Sequence, residues 1–509
     1  MKKAYKYLLT VATATLLFSC SDYLDINDPK NDPTADQVTP DLILAGAETR
    51  TYSTQAVTMN QLGNVFMNNW SANVNAFTGG FNEEYQLIIT STFYNNIWDN
   101  LYIRAANFQA IIDSRFEDYE NHKAIAKVMK SFYMQYIVDL YGDAPYSEAF
   151  QGGDNLTPAY DDDMAIYRQL IVEIDEAIEL IDNNTASTIP VGSEDVIYGG
   201  NMDSWKKFAN TLKLRILLRE STKAETDGAT ATYLNEQFAA LEQNFVTTNV
   251  TINPGYANDS GRQNPFYGTY GFNVDGTQTT SNRFVRASKY AVEYLNGTLV
   301  PGITDPRLNA IYLPVSGTVI GVEQGIDSND PAIPANISAL GTGLIFDDTQ
   351  DGYIMTAAES LFMQSEAAFR GYISGNGKAL FQEGIRKSFR IFTNPATNEP
   401  FFTSDQIENY IANSNGVNEV GWDGSANKIE AIMTQKWIAT NGINAIESWI
   451  EYTRTGFPEI PLAINAQRPN KPNRLLYPSS ESIANAANVP PQESATAFDT
   501  YIFWDATQN

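Results

Sequence analysis

The chain has 509 residues, 60 Asp and Glu against 33 Lys and Arg, and a formal net charge of −27. A surface this acidic repels phosphates and has no basic run to offset it, which excludes nucleic acid as a partner. One Cys and one His exclude disulfide frameworks, CxxC sites and multi-His metal centres.

The first segment reads as an export signal. Lys2, Lys3 and Lys6 precede an apolar run from Tyr7 to Phe18 that is too short to span a bilayer. It ends in Leu17-Phe18-Ser19-Cys20, a small residue before a Cys, where a lipoprotein signal peptidase cuts once the thiol is acylated. Phe18 is bulkier than the usual residue at its position. Residues 1–19 are therefore expected to be a lipoprotein signal peptide. Residues 20–39, with Asp22, Asp25, Asp28, Pro29 and Pro33, are the expected lipidated N-terminus and tether, with Cys20 as the lipidation site. Residues 40–509 are expected to form a single domain.

Within that domain the 3.6-residue period dominates. Residues 122–140 carry Ile125, Met129, Phe132, Tyr136 and Leu140; residues 161–182 carry Ile166, Leu170, Ile174, Ile178 and Ile181; a third stripe runs from Trp205 through Phe208 and Leu212 to Ile216. Thr356-Ala-Ala-Glu359 is a capping box opening a helix to about Arg370, and a second helix follows from Lys378 to about Phe389. That pair is a helical hairpin of roughly TPR size. Thr403 and Gln406 cap another helix, and residues 425–440 and 443–454 make a further pair. Trp98, Trp205, Trp437 and Trp449 lie on such stripes and are expected in the core. Residues 247–282 and 313–352 differ, being rich in Gly, Asn, Thr, Ser and Asp. The expected fold class is mainly α, a TPR-like helical-hairpin scaffold with a large loop-rich insertion that carries the ligand surface.

Ligand candidates come from aromatics set among glycines. The segment Asn264-Pro-Phe266-Tyr267-Gly-Thr-Tyr270-Gly-Phe272, with Arg262 and Arg283 nearby, offers flat rings for sugar faces and polar groups for hydroxyls. A second cluster is Trp70 with Asn73, Asn75, Phe77 and Phe81. The alternative is that these rings pack the loops onto the core. His122 reads as a solvated residue near a helix start. Asp347-Asp348-Thr349-Gln350-Asp351-Gly352 resembles a calcium loop, but its twelfth position is Ala358, so an exposed acidic turn is expected, with a structural calcium ion as the alternative. No metal or cofactor is otherwise expected.

Several stretches together resemble the SusD/RagB family of nutrient-binding outer-membrane lipoproteins: MKSFYMQYIVDLYGDAPYSEAF (129–150), DPRLNAIY (305–312), TAAESLFMQSEAAFRGY (356–372), NRLLYPSSESIANAANV (473–489) and FDTYIFWD (498–505). QKWIATNG (435–442) and ESWIEYTRTGFP (447–458) depart from the family's Arg- and Glu-rich helix and mark a divergent branch. The resemblance implies a non-catalytic, TPR-like lipoprotein, anchored in the outer membrane and facing the cell exterior. It would bind an oligosaccharide or other nutrient and dock on a SusC-like TonB-dependent transporter. A surface glycoside hydrolase and a purely protein-binding TPR-type scaffold are the alternatives.

Overall fold

The structure, a computed structural model, describes residues 38–505. The expected signal peptide, Cys20 and all but the end of the tether lie outside the described residues. The longer helices, in chain order, are α1 (Pro40–Thr54), α2 (Asn60–Phe66), α3 (Asn96–Ile112), α4 (Glu120–Tyr141), α5 (Asp163–Asp182), α6 (Met202–Arg219), α7 (Gly228–Ala240), α8 (Ala357–Arg370), α9 (Gly377–Arg390), α10 (Ser404–Ser414), α11 (Lys428–Thr440) and α12 (Ile446–Thr455). Strands are few and short: β1 (Trp70–Ala72) pairs with β3 (Val285–Ala287), and β2 (Val250–Ile252) with β4 (Gly352–Met355), both antiparallel. The fold is mainly helical and TPR-like.

Local chemistry explains the helix ends. Asp162 accepts a hydrogen bond from the Ala165 N–H at 2.9 Å and starts α5. The capping box at α8 is reciprocal: the Glu359 N–H donates to Thr356 Oγ1 at 3.1 Å and the Thr356 N–H to Glu359 Oε2 at 2.9 Å. Gly371, at φ +80°, closes the same helix in the left-handed region. The Thr403 and Gln406 pair does at α10 what it does at α8.

Helices α3, α4, α5 and α6 pack on one another in succession, while α8 packs on α9 and α11. The stripe of α4 is fully buried, and so are most of its remaining side chains, which makes it a central rather than a surface helix. Trp98, Trp205, Trp437 and Trp449 are all buried.

The two groups of helices meet at a buried seam of charge. Arg219 of α6 donates through Nη2 to Glu447 at 2.8 Å and through Nη1 to Glu451 of α12 at 2.5 Å. Its Nε reaches Asp139 of α4 at 3.3 Å, and Asp139 also accepts from the Tyr167 hydroxyl. Lys436 of α11 lies 2.7 Å from Glu451, and Arg454 lies 2.7 Å from both Glu451 and Glu366 of α8. Burial alone would raise these carboxyls. Instead Arg219, Arg215 and Lys436 hold Glu447 far below the usual carboxylate range, and Arg219, Arg454 and Lys436 do the same for Glu451. Such a seam fixes how the helices meet, because each charge left alone there would be uncompensated.

Candidate functional site

The irregular segments converge because β2 and β4 pair, setting Thr251 opposite Tyr353. Asn264 then anchors one segment on the other. Its N–H donates to the Asp348 carbonyl at 2.8 Å and its Nδ2 to the Gln350 carbonyl at 3.0 Å. Its Oδ1 accepts from the N–H groups of Phe266 (2.9 Å) and Tyr267 (3.1 Å), starting a short helix, Pro265–Tyr270. Asn264 is thus a buried helix cap rather than a ligand contact.

That short helix corrects part of the reading of the aromatics. Positions four apart share a helix face, so Phe266 and Tyr270 turn inward together onto Trp70. Tyr270 meets Trp70 edge-on, with centroids 4.9 Å apart, and Phe266 lies 6.5 Å from it. Trp70 and Tyr270 have no exposed surface, and the Tyr270 hydroxyl donates to the Val57 carbonyl at 3.2 Å. Phe81 is also buried, packed edge-on against Phe284 at 4.8 Å. Glycine spacing does not keep these rings in solvent, because one turn of helix suffices to bury alternate ones. Tyr267 and Phe272 stay half-buried at the surface, 6.1 Å apart. Arg262 and Arg283 are exposed; Arg262 faces Asp259 at 4.0 Å. Asn73 ties the second cluster to the first, donating to the Arg283 carbonyl at 3.0 Å, while Asn75 donates to the Pro334 carbonyl of the later irregular segment at 2.9 Å.

Beside this helix lies a cleft of about 320 Å³ whose lining residues include Tyr52, Phe266, Phe346, Asp351, Tyr353 and Phe392. Tyr52 closes α1 just where the chain widens into a π-helical turn, Gln55–Met59. Gln55 Nε2 holds that turn to β4 through the Ile354 carbonyl at 2.9 Å. The Tyr52 ring lies directly on the backbone of Gly352: a Cβ there would stand 2.3 Å from the ring, so only Gly permits the approach. The Tyr353 N–H donates to the Tyr52 hydroxyl at 3.1 Å. Burial, with the Asp351 carboxylate adding to it, pushes the Tyr353 phenol up to about 12.

Thr349 and Gln350 also line the cleft. Gln350 Oε1 accepts from the N–H groups of Phe346 and Asp347, which shapes the turn. Hydrogen bonds from the Thr349 hydroxyl and N–H hold the Asp347 carboxyl below its ordinary value, so this acidic turn is closed by its own side chains. Tyr52, Tyr353, Phe346 and Phe392 were not among the residues the sequence pointed to. They come from three separate segments, and no spacing signal joins them. The split within 266–270 had a signal: Asn264-Pro265 is a cap followed by proline at the first helical position.

His122 is fully buried, not solvated. Its Nε2 lies 3.0 Å from Glu194 Oε1 and its ring stands edge-on to Tyr119. Among the described residues, the carboxylates of Asp143, Asp162 and Asp163 also approach one another, within 4.8 Å. Each serves the backbone, accepting from the N–H groups of Asp163, Ala165 and Phe503 respectively.

The sequence profile of a SusD-like family, described as starch-binding and associating with the outer membrane, matches residues 30–478. No curated protein matches the sequence. Among solved structures, a chitin-binding protein is similar at 24% identity and a TM-score of 0.70, over 91% of this chain and 99% of that one. A chitin-binding SusD homolog from Flavobacterium johnsoniae is similar at 22% identity and TM-score 0.70, over 91% and 99%. A SusD homolog from Bacteroides fragilis is similar at 21% identity and TM-score 0.68, over 89% and 95%.

Proposed function

The chain belongs to the SusD-like family, and from that premise we propose that it is a cell-surface lipoprotein that captures an oligosaccharide and hands it to a SusC-like TonB-dependent transporter. The observation that carries this reading is the aromatic-walled cleft where the irregular segments meet, flanked by the surface pair Tyr267 and Phe272. Flat rings stack on the apolar faces of sugars, and the Thr349 hydroxyl and Asp351 carboxylate are placed to bond sugar hydroxyls. That two solved structures of similar fold are described as chitin-binding supports the ligand class. Among the described residues lining the cleft, Asp351 is the only carboxylate. Glycoside hydrolysis needs two, so the cleft favours binding without turnover.

Calorimetric titration with a panel of neutral oligosaccharides tests the reading. A saturating heat that Phe346→Ala reduces several-fold supports it, and reducing sugar released during the titration would favour a hydrolase. No glycan bound, with retained binding to a transporter, would favour a scaffold. Anchoring through Cys20 belongs to the same proposal. Cys20→Ala should abolish fatty-acid labelling and release the protein from the membrane fraction; label retained by the variant would refute the anchor.

A further inference from the structure

The cleft carries charge of one sign only. Among the described residues, its lining includes the exposed Asp351 carboxylate and no Lys or Arg. Asp351 Oδ1 accepts from Asn253 Nδ2 at 2.8 Å, which holds the carboxylate in place. The adjoining turn adds Asp347 and Asp348, and the chain as a whole is strongly acidic. An exposed carboxylate in a pocket lined by aromatic rings is the arrangement that attracts an ammonium group, because ring faces and carboxylate both present negative charge. The same field disfavours an anionic ligand, with no cation on the lining to offset it. Because the aromatic walls also suit sugar rings, the ligand that satisfies both features is a sugar bearing an amine.

Resting on the reading of this cleft as the glycan site, we propose that it selects glycan units with a free ammonium, de-N-acetylated amino sugars, over neutral and anionic ones. Asp351 is the specificity-determining residue. The Asn253 bond holds its carboxylate in place, and the walls of Tyr52, Phe346 and Tyr353 receive the ring.

The test is calorimetric titration of the full protein, at low and moderate salt, with four probes of equal length. They are a β-1,4-linked glucosamine oligomer, its fully N-acetylated counterpart, an oligogalacturonate and an oligolysine. The glucosamine oligomer should bind roughly tenfold tighter than the N-acetylated one, with affinity falling as salt rises, and the oligogalacturonate should not bind. Asp351→Asn, which keeps an acceptor for Asn253, should abolish that preference, so that the glucosamine oligomer binds no more tightly than its N-acetylated counterpart and loses its salt dependence. Equal affinity for the neutral oligomer, or an unchanged preference in Asp351→Asn, would overturn the charge selection while leaving the cleft a glycan site. Tighter binding of oligolysine than of the glucosamine oligomer would make the target a basic peptide and overturn the sugar assignment. If none of the probes binds, the amino-sugar proposal falls, and the wider panel of neutral oligosaccharides decides separately whether the cleft is a glycan site.

Discussion

The charged seam and the loop face both bury polar groups, but they use them differently. In the seam, ionised side chains pair with one another across helices: Arg219 alone touches Asp139, Glu447 and Glu451. On the loop face, neutral amides bond to backbone, as Asn264 does to Gln350 and Gln55 to Ile354. Pairing charge with charge makes each partner indispensable, since removing one strands the other. Amide-to-backbone bonds instead fix the course of a loop without committing charged groups, and they leave Tyr267 and Phe272 half-exposed at its surface. The contrast separates a region built to hold the molecule together from one built to leave chemistry available.

The largest expected effect would break that contrast if it failed. Arg219→Ala leaves three carboxylates without their shared cation and should lower stability by about 3–5 kcal/mol, read by chemical denaturation; a loss below 1 kcal/mol would make the seam incidental. The seam should also weaken in acid. Glu366, Glu447 and Glu451 have depressed values in the folded state, so the stability they contribute is complete above about 4.5 and is lost as pH falls below it.

Glu220, just beyond the end of α6, sharpens the point with the opposite sign. It is fully buried, 3.8 Å from Arg168, with no hydrogen-bond partner on either oxygen among the described residues, and burial pushes its carboxyl up to about 7. Stability from its protonated form is complete below its ordinary value and is lost as pH rises through about 7. Glu220→Gln should therefore match the parent near pH 5 and exceed it at pH 8 by about 2–3 kcal/mol. Melting curves at the two values decide this, and an equal gap at both would show that Glu220 does not titrate there.

The smallest effect lies on the loop face itself. Tyr267→Ala should leave stability within about 1 kcal/mol while weakening ligand binding. Tyr270→Ala, three residues away, should cost about 3–5 kcal/mol because its ring fills the core against Trp70. Matched melting and binding measurements on the pair test the division, and equal stability losses would erase it.

Much of the scaffold was legible because it obeys local rules. The stripe in α4, the capping boxes at Thr356 and Thr403 and the four core tryptophans each follow from periodicity or capping chemistry. The loop face was legible only in outline. Its composition marked where it lies, but whether a ring points in or out depends on one short helix and on Trp70, far away in sequence. His122 failed for a related reason: a polar residue near a helix start is read as solvated, yet Glu194 and Tyr119 enclose it. The cleft residues Tyr52 and Tyr353 become neighbours only through Gly352, a contact that no pattern along the chain encodes.

The β2–β4 pairing sets a schedule for assembly. Val250 finds Met355 only after roughly a hundred intervening residues have been made, and Tyr52 waits still longer for Gly352. Helices α3 to α6 pack on neighbours close in sequence, so each of their contacts closes only a short loop and can form before the cleft does. The cleft has no such early form. A chain cut off before β4 would lack every wall that β4 and its turn supply, so the cleft exists only in the finished molecule.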